Sequence, residues 1–228
     1  MRATPAAIAA VAAAGMVACG PAASPSPAPS PDGAAVGVGP GVPPWVADSL
    51  DPSLVPAGHG TLRQEDVAIR LPYQGLVVRI LPLDESVIRV LSPDAYQALR
   101  ELQASRREEV ERVARRYALS RPRLWYVSFH GVEQGETRYS PLELQVTSTG
   151  RDFRPVDAIP LTPGFGEQRL AQREMQAALY VFDDALDARQ PFTISFQGVE
   201  SAAWEGTLRR IEREHSLIRS RAARPRSS

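Results

Sequence analysis

The stretch "LWYVSF" (124–129) decides the class of fold, because it follows a helical region and carries aromatic and β-branched residues over the length of a strand. Such side chains fit a pleated, half-buried surface, so the stretch predicts a β-strand. Four stretches further along have the same apolar or alternating character: "LELQV" (142–146), residues 153–161, "MQAALYVF" (175–182) and "FTISF" (192–196). Between the first two of these, "TSTGRD" (147–152) predicts a turn in which Gly150 can take a positive φ angle.

Three stretches upstream also predict strands: "DVAIRL" (66–71), "LVVRIL" (76–81) and "SVIRVL" (86–91). Short turns separate them, which indicates three sequential antiparallel strands. The period then changes, because Ser92, Pro93 and Asp94 supply an N-cap, a proline in the first turn and an acid in the first turn. Apolar residues spaced by three and four predict that this helix covers 92–119, and a second helix is predicted for 204–219.

About eight short strands, one inserted amphipathic helix and one C-terminal helix predict a mainly β protein, an antiparallel β-sandwich. We expect an immunoglobulin-like arrangement of the strands, and a partly closed barrel is the alternative. The sandwich domain is predicted over 59–222. Residues 223–228 are predicted to form a disordered basic tail.

Composition excludes several classes of chemistry. The formal net charge is +0, so no global field steers the molecule toward nucleic acid, and no nucleic-acid partner is expected. All 26 basic residues are arginine. Without lysine the chain has no P-loop lysine, no Schiff-base lysine and no Ser-Lys dyad, and its single cysteine rules out an intrachain disulfide or a multi-cysteine metal site. No cofactor is predicted.

The N-terminus predicts a location for the protein. Residues 1–18 contain one arginine and an apolar run that is too short to cross a bilayer, so they predict a cleaved leader. The run ends in "MVACG" (16–20), where a small residue precedes Cys19. This motif resembles the lipobox of bacterial lipoproteins. The resemblance implies that Cys19 is acylated, becomes the mature N-terminus and holds the protein on a membrane of the bacterial cell envelope, on its periplasmic or extracellular side; an ordinary secretory leader is the alternative.

Residues 19–58 are rich in Pro, Ala, Ser and Gly, and they predict an extended tether behind the lipidated cysteine. Five apolar residues interrupt the last part of this tether: Trp45, Val46, Leu50, Leu54 and Val55. We expect them to dock on the folded domain, and an exposed segment that binds a partner is the alternative.

Two polar clusters are candidates for chemistry. His130 with Glu133 and Glu136 would supply an imidazole and two carboxylates for a metal or for hydrolysis, although the same segment is also an ordinary polar connection. The second cluster is acidic and consists of Asp183, Asp184 and Asp187; it suits either calcium or a solvated turn. Neither cluster has a defined ligand spacing, so we predict no metal site and no catalytic residue.

Two surface features are candidates for partner binding. The helical region and the loop after it carry six arginines that would form a basic patch or a solvated helix face: Arg106, Arg107, Arg115, Arg116, Arg121 and Arg123. Phe165 stands between Gly164 and Gly166 and would either anchor a partner or pack back on the sandwich, which is the outcome we expect.

Together these features predict a lipid-anchored envelope protein whose sandwich domain is a non-catalytic binding or assembly module. The expected partners are the membrane, reached through the acyl chains, and another envelope protein. An envelope hydrolase or metal-dependent enzyme that uses His130 with nearby carboxylates is the alternative from a different class.

Overall fold

The computed structural model describes residues 54–223. Eleven strands are present in this part of the chain: β1 (Ile69–Tyr73), β2 (Leu76–Pro82), β3 (Arg123–Gly131), β4 (Glu136–Arg138), β5 (Leu144–Ser148), β6 (Arg151–Phe153), β7 (Asp157–Pro160), β8 (Arg169–Ala171), β9 (Met175–Phe182), β10 (Phe192–Phe196) and β11 (Val199–Ser201). The five helices are α1 (Gln64–Val67), α2 (Glu85–Ile88), α3 (Pro93–Ser105), α4 (Arg107–Arg116) and α5 (Trp204–Ala222).

The strands form antiparallel sheets. A five-stranded sheet has the order β1-β2-β3-β9-β7, a four-stranded sheet has the order β11-β10-β5-β6, and β4 pairs with β8 in a small ribbon. The predictions of a mainly β protein with antiparallel sheets and a C-terminal helix are confirmed. The immunoglobulin-like arrangement is not confirmed: β1, β2 and β3 are consecutive neighbours in one sheet, whereas the third strand of an immunoglobulin domain lies in the opposite sheet.

Aromatic side chains join the two larger sheets. On β3, Trp125 lies with its ring centroid 5.0 Å from that of Phe192 on β10, and Phe129 lies 5.7 Å from Phe196. Trp125, Phe129 and Phe196 are all almost fully buried. Burying such a ring contributes roughly 1.5–3 kcal/mol, so this contact is a principal source of the stability of the domain.

Three hairpins use the same two-residue turn. Their loops are residues 74–75, 149–150 and 197–198, each ends in glycine, and both residues of each loop have positive φ angles. Two positive φ angles are those of a type I′ turn, whose twist matches that of the flanking strands. The turn predicted at 147–152 is therefore confirmed, and Gly150 has a φ angle of 75°.

The strand predicted at 86–91 is wrong. Residues 85–88 form the short helix α2, because the carboxylate of Asp84 accepts hydrogen bonds from the backbone N–H of Ser86 at 2.9 Å and from its hydroxyl at 2.6 Å. This cap starts a helical turn. The apolar residues of 86–91 are buried on every side, which removes the alternation that separates a strand from a helix.

Two other boundaries differ from the prediction. The stretch 66–71 is a strand only from Ile69, because Asp66 belongs to α1 and caps its N-terminus by accepting the N–H of Arg63 at 2.9 Å. The stretch 153–161 is not one strand: β6 ends at Phe153 in the four-stranded sheet, and β7 begins at Asp157 in the five-stranded sheet. Between them Pro155 lacks a backbone N–H and cannot continue a ladder.

The predicted helices are confirmed with small changes. The region 92–119 forms α3 and α4, separated at Arg106 by a φ angle of −108° and a ψ angle of 13°. The C-terminal helix α5 begins at Trp204, whose ring stacks on Phe192 at 4.8 Å and whose indole N–H donates to the carbonyl of Ala188. This stacking joins α5 to the same aromatic core.

A buried ion cluster fixes α2 and α3 to the N-terminal segment. Glu85 is only 6% exposed, and its carboxylate contacts the guanidinium of Arg89 at 2.6 Å and that of Arg100 at 2.8 Å. Arg89 also donates to the carbonyl of Val55 at 3.0 Å. Val55 is buried in the core, so the expected docking is observed there, whereas Trp45, Val46 and Leu50 lie outside the described residues.

Replacing Glu85 with alanine should strongly destabilise the domain, because two guanidinium groups would lose their carboxylate in a buried site. We expect a loss of about 3–5 kcal/mol in the free energy of unfolding. The matched control is Glu111→Ala: Glu111 also contacts two arginines, at 3.2 and 3.9 Å, but on an exposed helix surface, where the loss should be below about 1 kcal/mol. Urea denaturation of both variants measures the difference, and equal losses would contradict the structural role of the cluster.

Candidate functional site

The outer face of the five-stranded sheet carries the most unusual polar residues. Side chains alternate along a strand, so Trp125, Val127 and Phe129 of β3 point to the core, and Tyr126, Ser128 and His130 point to the other face. Helices α3 and α4 cover one end of this face, as the contact of Arg116 with Asp157 shows. The other end is open.

A groove of about 130 Å³ lies at the open end, between the sheet and α1. We call it the arginine groove and define it by its lining residues: Gln64, Glu65, Ala68, Arg79, Ile80, Leu81, Tyr126, Ser128 and His130. Helix α1 forms its rim and is held there by α5, because the guanidinium of Arg210 donates to the carbonyl of Asp66. The groove is therefore built from elements far apart in the sequence.

Arg79 lines the groove and Arg70 lies beside it, and neither forms an ion pair with Glu65 or with another carboxylate among residues 54–223. Arg70 of β1 and Arg79 of β2 are directly opposite in the antiparallel register, and both point to the outer face. Like charges in this position destabilise a sheet. Among residues 54–223 neither guanidinium has an ion pair, and the Nε of Arg79 is buried without a hydrogen-bond partner. An unpaired buried donor costs about 1–3 kcal/mol, so this arrangement does not serve stability.

Ser128 and His130 form a hydrogen-bonded pair in the groove. The Oγ of Ser128 lies 3.0 Å from the Nε2 of His130, and Ser128 is only 2% exposed. Burial, followed by the positive charges of Arg79 and Arg70, lowers the pKa of His130 below its usual value. Both effects favour the neutral form of the imidazole. In the described part of the chain no carboxylate hydrogen bonds to this imidazole.

The structure does not bring Glu133 and Glu136 to His130. Glu136 forms an exposed ion pair with Arg169 at 3.6 Å, and Glu133 lies beside the hairpin turn at Gly75. Within residues 54–223 no group of three histidine, cysteine, aspartate or glutamate side chains is placed to hold a metal. The three residues grouped by the sequence therefore have different contacts in the structure.

The other two histidines make separate structural contacts. The Nε2 of His215 on α5 lies 2.9 Å from the carbonyl of Ser86, and burial lowers the pKa of His215. The backbone carbonyl of His59 accepts a hydrogen bond from Arg221 at 2.9 Å. Both contacts fasten α5 to neighbouring segments.

The three aspartates after β9 serve the backbone of nearby turns. Asp183 accepts the N–H of Ala185 at 2.8 Å, and Asp187 accepts the N–H of Arg189 at 2.9 Å. Asp184 reaches further and accepts the N–H of Ser120 at 2.8 Å. These carboxylates therefore tie the loop after β9 to itself and to the end of the helical region.

Most of the predicted basic patch consists of paired arginines. Arg106 contacts Glu109, Arg107 and Arg115 contact Glu111, Arg116 contacts Asp157, and Arg123 contacts Asp84, at distances of 3.2–3.9 Å. These pairs neutralise the helix face. Arg70 and Arg79 differ from them, because they lack such partners within the described chain.

Phe165 packs back on the sandwich, as expected. Its ring centroid lies 6.4 Å from that of Phe129 and 6.3 Å from that of Tyr180. Gly164 and Gly166 on either side have positive φ angles, which let the loop reverse direction around the ring. Phe165 is therefore half-buried against the core rather than extended as an aromatic anchor.

Comparison with known proteins adds little. No protein-family model matches the chain, and no curated protein sequence matches it. The chain is similar to a solved structure, the crystal structure of a functionally unknown protein from Listeria monocytogenes EGD-e. The two share 9% identity with a TM-score of 0.30, over 55% of this chain and 68% of that chain. A likeness of this extent carries no argument. Between residues 54 and 223, no helix is long and apolar enough to cross a membrane.

Because the pKa of both His130 and His215 is lowered, the unfolded chain binds protons at these sites more readily than the folded chain. The two histidines should make their full contribution to the free energy of unfolding above the pKa of histidine in the unfolded chain, near 6.5. This contribution should be lost as the pH falls below that value. We expect His130→Gln and His215→Gln to flatten the decline in unfolding free energy between pH 7.5 and 5. His59→Gln is the control. Parallel pH profiles for all variants, measured by chemical denaturation, would contradict this assignment.

Proposed function

We propose that this protein is a bacterial lipoprotein of the cell envelope, held on a membrane by acyl chains on Cys19, and that its folded domain is a non-catalytic binding module for another envelope protein. Residues 1–53 lie outside the described structure, so the anchor rests on the sequence motif around Cys19. The binding function rests on the domain.

The observation that carries the binding function is the pair of arginines at the groove. Arg70 and Arg79 cost free energy in the isolated domain and have no carboxylate partner among the described residues. A partner that fills the groove would remove this cost. A surface whose charged groups destabilise the isolated domain, and which a ligand can reach from solvent, is typical of a binding site. This groove has both properties.

A hydrolase is the second candidate, and the contact between Ser128 and His130 at 3.0 Å favours it. A serine nucleophile needs a histidine base that a third group, usually a carboxylate, orients and stabilises once it is protonated. Here the nearest charges are Arg79 and Arg70, which oppose protonation of the imidazole. The pair therefore lacks the electrostatic support for proton transfer, and we favour binding.

The test of this choice is hydrolysis of p-nitrophenyl acetate and of a chromogenic amide by the purified full chain. We expect wild type and Ser128→Ala to give the same rate, because the site does not activate the hydroxyl. Thr147→Ala, which removes an exposed hydroxyl on β5, is the control for nonspecific effects. Turnover that only the Ser128→Ala variant loses would favour the hydrolase instead.

The test of the anchor is Cys19→Ser, expressed in a bacterium and partitioned between detergent and water. We expect wild type in the detergent phase and the variant in the aqueous phase. One acyl chain holds a protein only marginally, whereas a lipoprotein N-terminus carries more than one. The thermal unfolding midpoint of the folded domain should not change. A wild-type mature mass without acyl groups on Cys19 would contradict the proposal.

A further inference from the structure

We infer that the arginine groove binds a carboxylate from an acidic segment of a partner protein, with apolar side chains of that segment packed beside it. This inference rests on the proposed binding function and specifies the chemistry of the partner. The groove brings the guanidinium of Arg79 together with the buried hydroxyl of Ser128 and the imidazole of His130, and Arg70 lies opposite Arg79 at the side of the groove.

The charges of the site select an anion. Arg70 and Arg79 are brought together by the register of the β1–β2 hairpin, and both lie close enough to His130 to lower its pKa. A carboxylate between them would convert the repulsion of like charges into two attractive contacts. Arginine is suited to this task, because its planar guanidinium donates two parallel hydrogen bonds to a carboxylate.

The balance of charge favours a monoanion. The charged lining residues of the groove are Arg79 and Glu65, which form no ion pair with each other, and Arg70 lies beside the groove opposite Arg79. The net charge of this set is therefore near +1, which a single carboxylate neutralises. A phosphate group, with a charge of about −1.5 to −2, would leave an excess of negative charge.

An apolar shoulder lies next to the arginines. Two residues along each strand from Arg70 and Arg79, on the same face, lie Pro72 and Val77. Val77 is opposite Pro72 and His130, and His130 is opposite Met175. Pro72 is exposed, Val77 is half-buried and Met175 is 42% exposed. An acidic residue flanked by apolar side chains would therefore contact both the arginines and this shoulder, whereas a free carboxylate would reach only the arginines.

The experiment measures binding of a fluorescent, end-blocked peptide of alternating glutamate and leucine to the purified full chain in nonionic detergent, at about 0.15 M salt. We expect saturable binding, weakened about tenfold or more by Arg79→Gln and by Arg70→Gln, because each removes a charge-assisted contact. Glu65→Gln should tighten binding, since it removes the repelling carboxylate. Arg213→Gln, at an exposed position of α5, is the matched control and should have no effect.

The same peptide with glutamine in place of glutamate should not bind, and inorganic phosphate should compete only weakly. Equal affinity of Arg79→Gln and Arg213→Gln, or no peptide binding, would overturn the carboxylate assignment. Tight binding of inorganic phosphate to a protein that does not bind the peptide would also overturn it, in favour of a phosphate-bearing ligand. These failures would leave the binding module in place with another ligand, whereas turnover dependent on Ser128 would overturn the proposed function itself.

Discussion

The contact of Trp125 and Phe129 with the four-stranded sheet is the constraint on which the other features depend. These rings must point inward to bury their area, so strand alternation turns Tyr126, Ser128 and His130 outward. Ser128 and His130 lie on the outer face because the residues next to them in the strand form the core. The helices α3 and α4 cover only one end of that face, and the uncovered end becomes the arginine groove.

Buried carboxylates in the core have hydrogen-bonding partners, whereas the arginines at the groove have no carboxylate partner in the part of the chain that the structure describes. The carboxylate of Glu85 has two arginine partners, and that of Glu214 accepts hydrogen bonds from Thr61 and Arg221. Both carboxylates are buried and would be costly without these partners. Arg79 in the groove and Arg70 beside it are an exception to this pattern, and the exception is the basis for proposing a ligand from outside the domain.

The sequence predicted the strands at 76–81, 124–129, 175–182 and 192–196, because each has the composition and length of a strand. It failed at 86–91, where a side-chain cap of Asp84 starts a helix within an apolar run that is buried on all sides. The groove was missed for a related reason. Ser128 is hidden inside an apolar strand, so composition gave no signal, and His130 was assigned to carboxylates near in sequence that turn elsewhere.

By itself the sequence determined local structure, the exclusion of lysine and disulfide chemistry, and the motif at Cys19 that predicts an anchor. The two-residue turn at 74–75 also makes the opposition of Arg70 and Arg79 a local property, because a short hairpin fixes its own register. Only the tertiary structure decided that β3, which lies some fifty residues further along, pairs with β2 and brings Ser128 and His130 to those arginines. Long-range pairing depends on the burial of both sheet faces together, and one stretch of sequence does not contain that information.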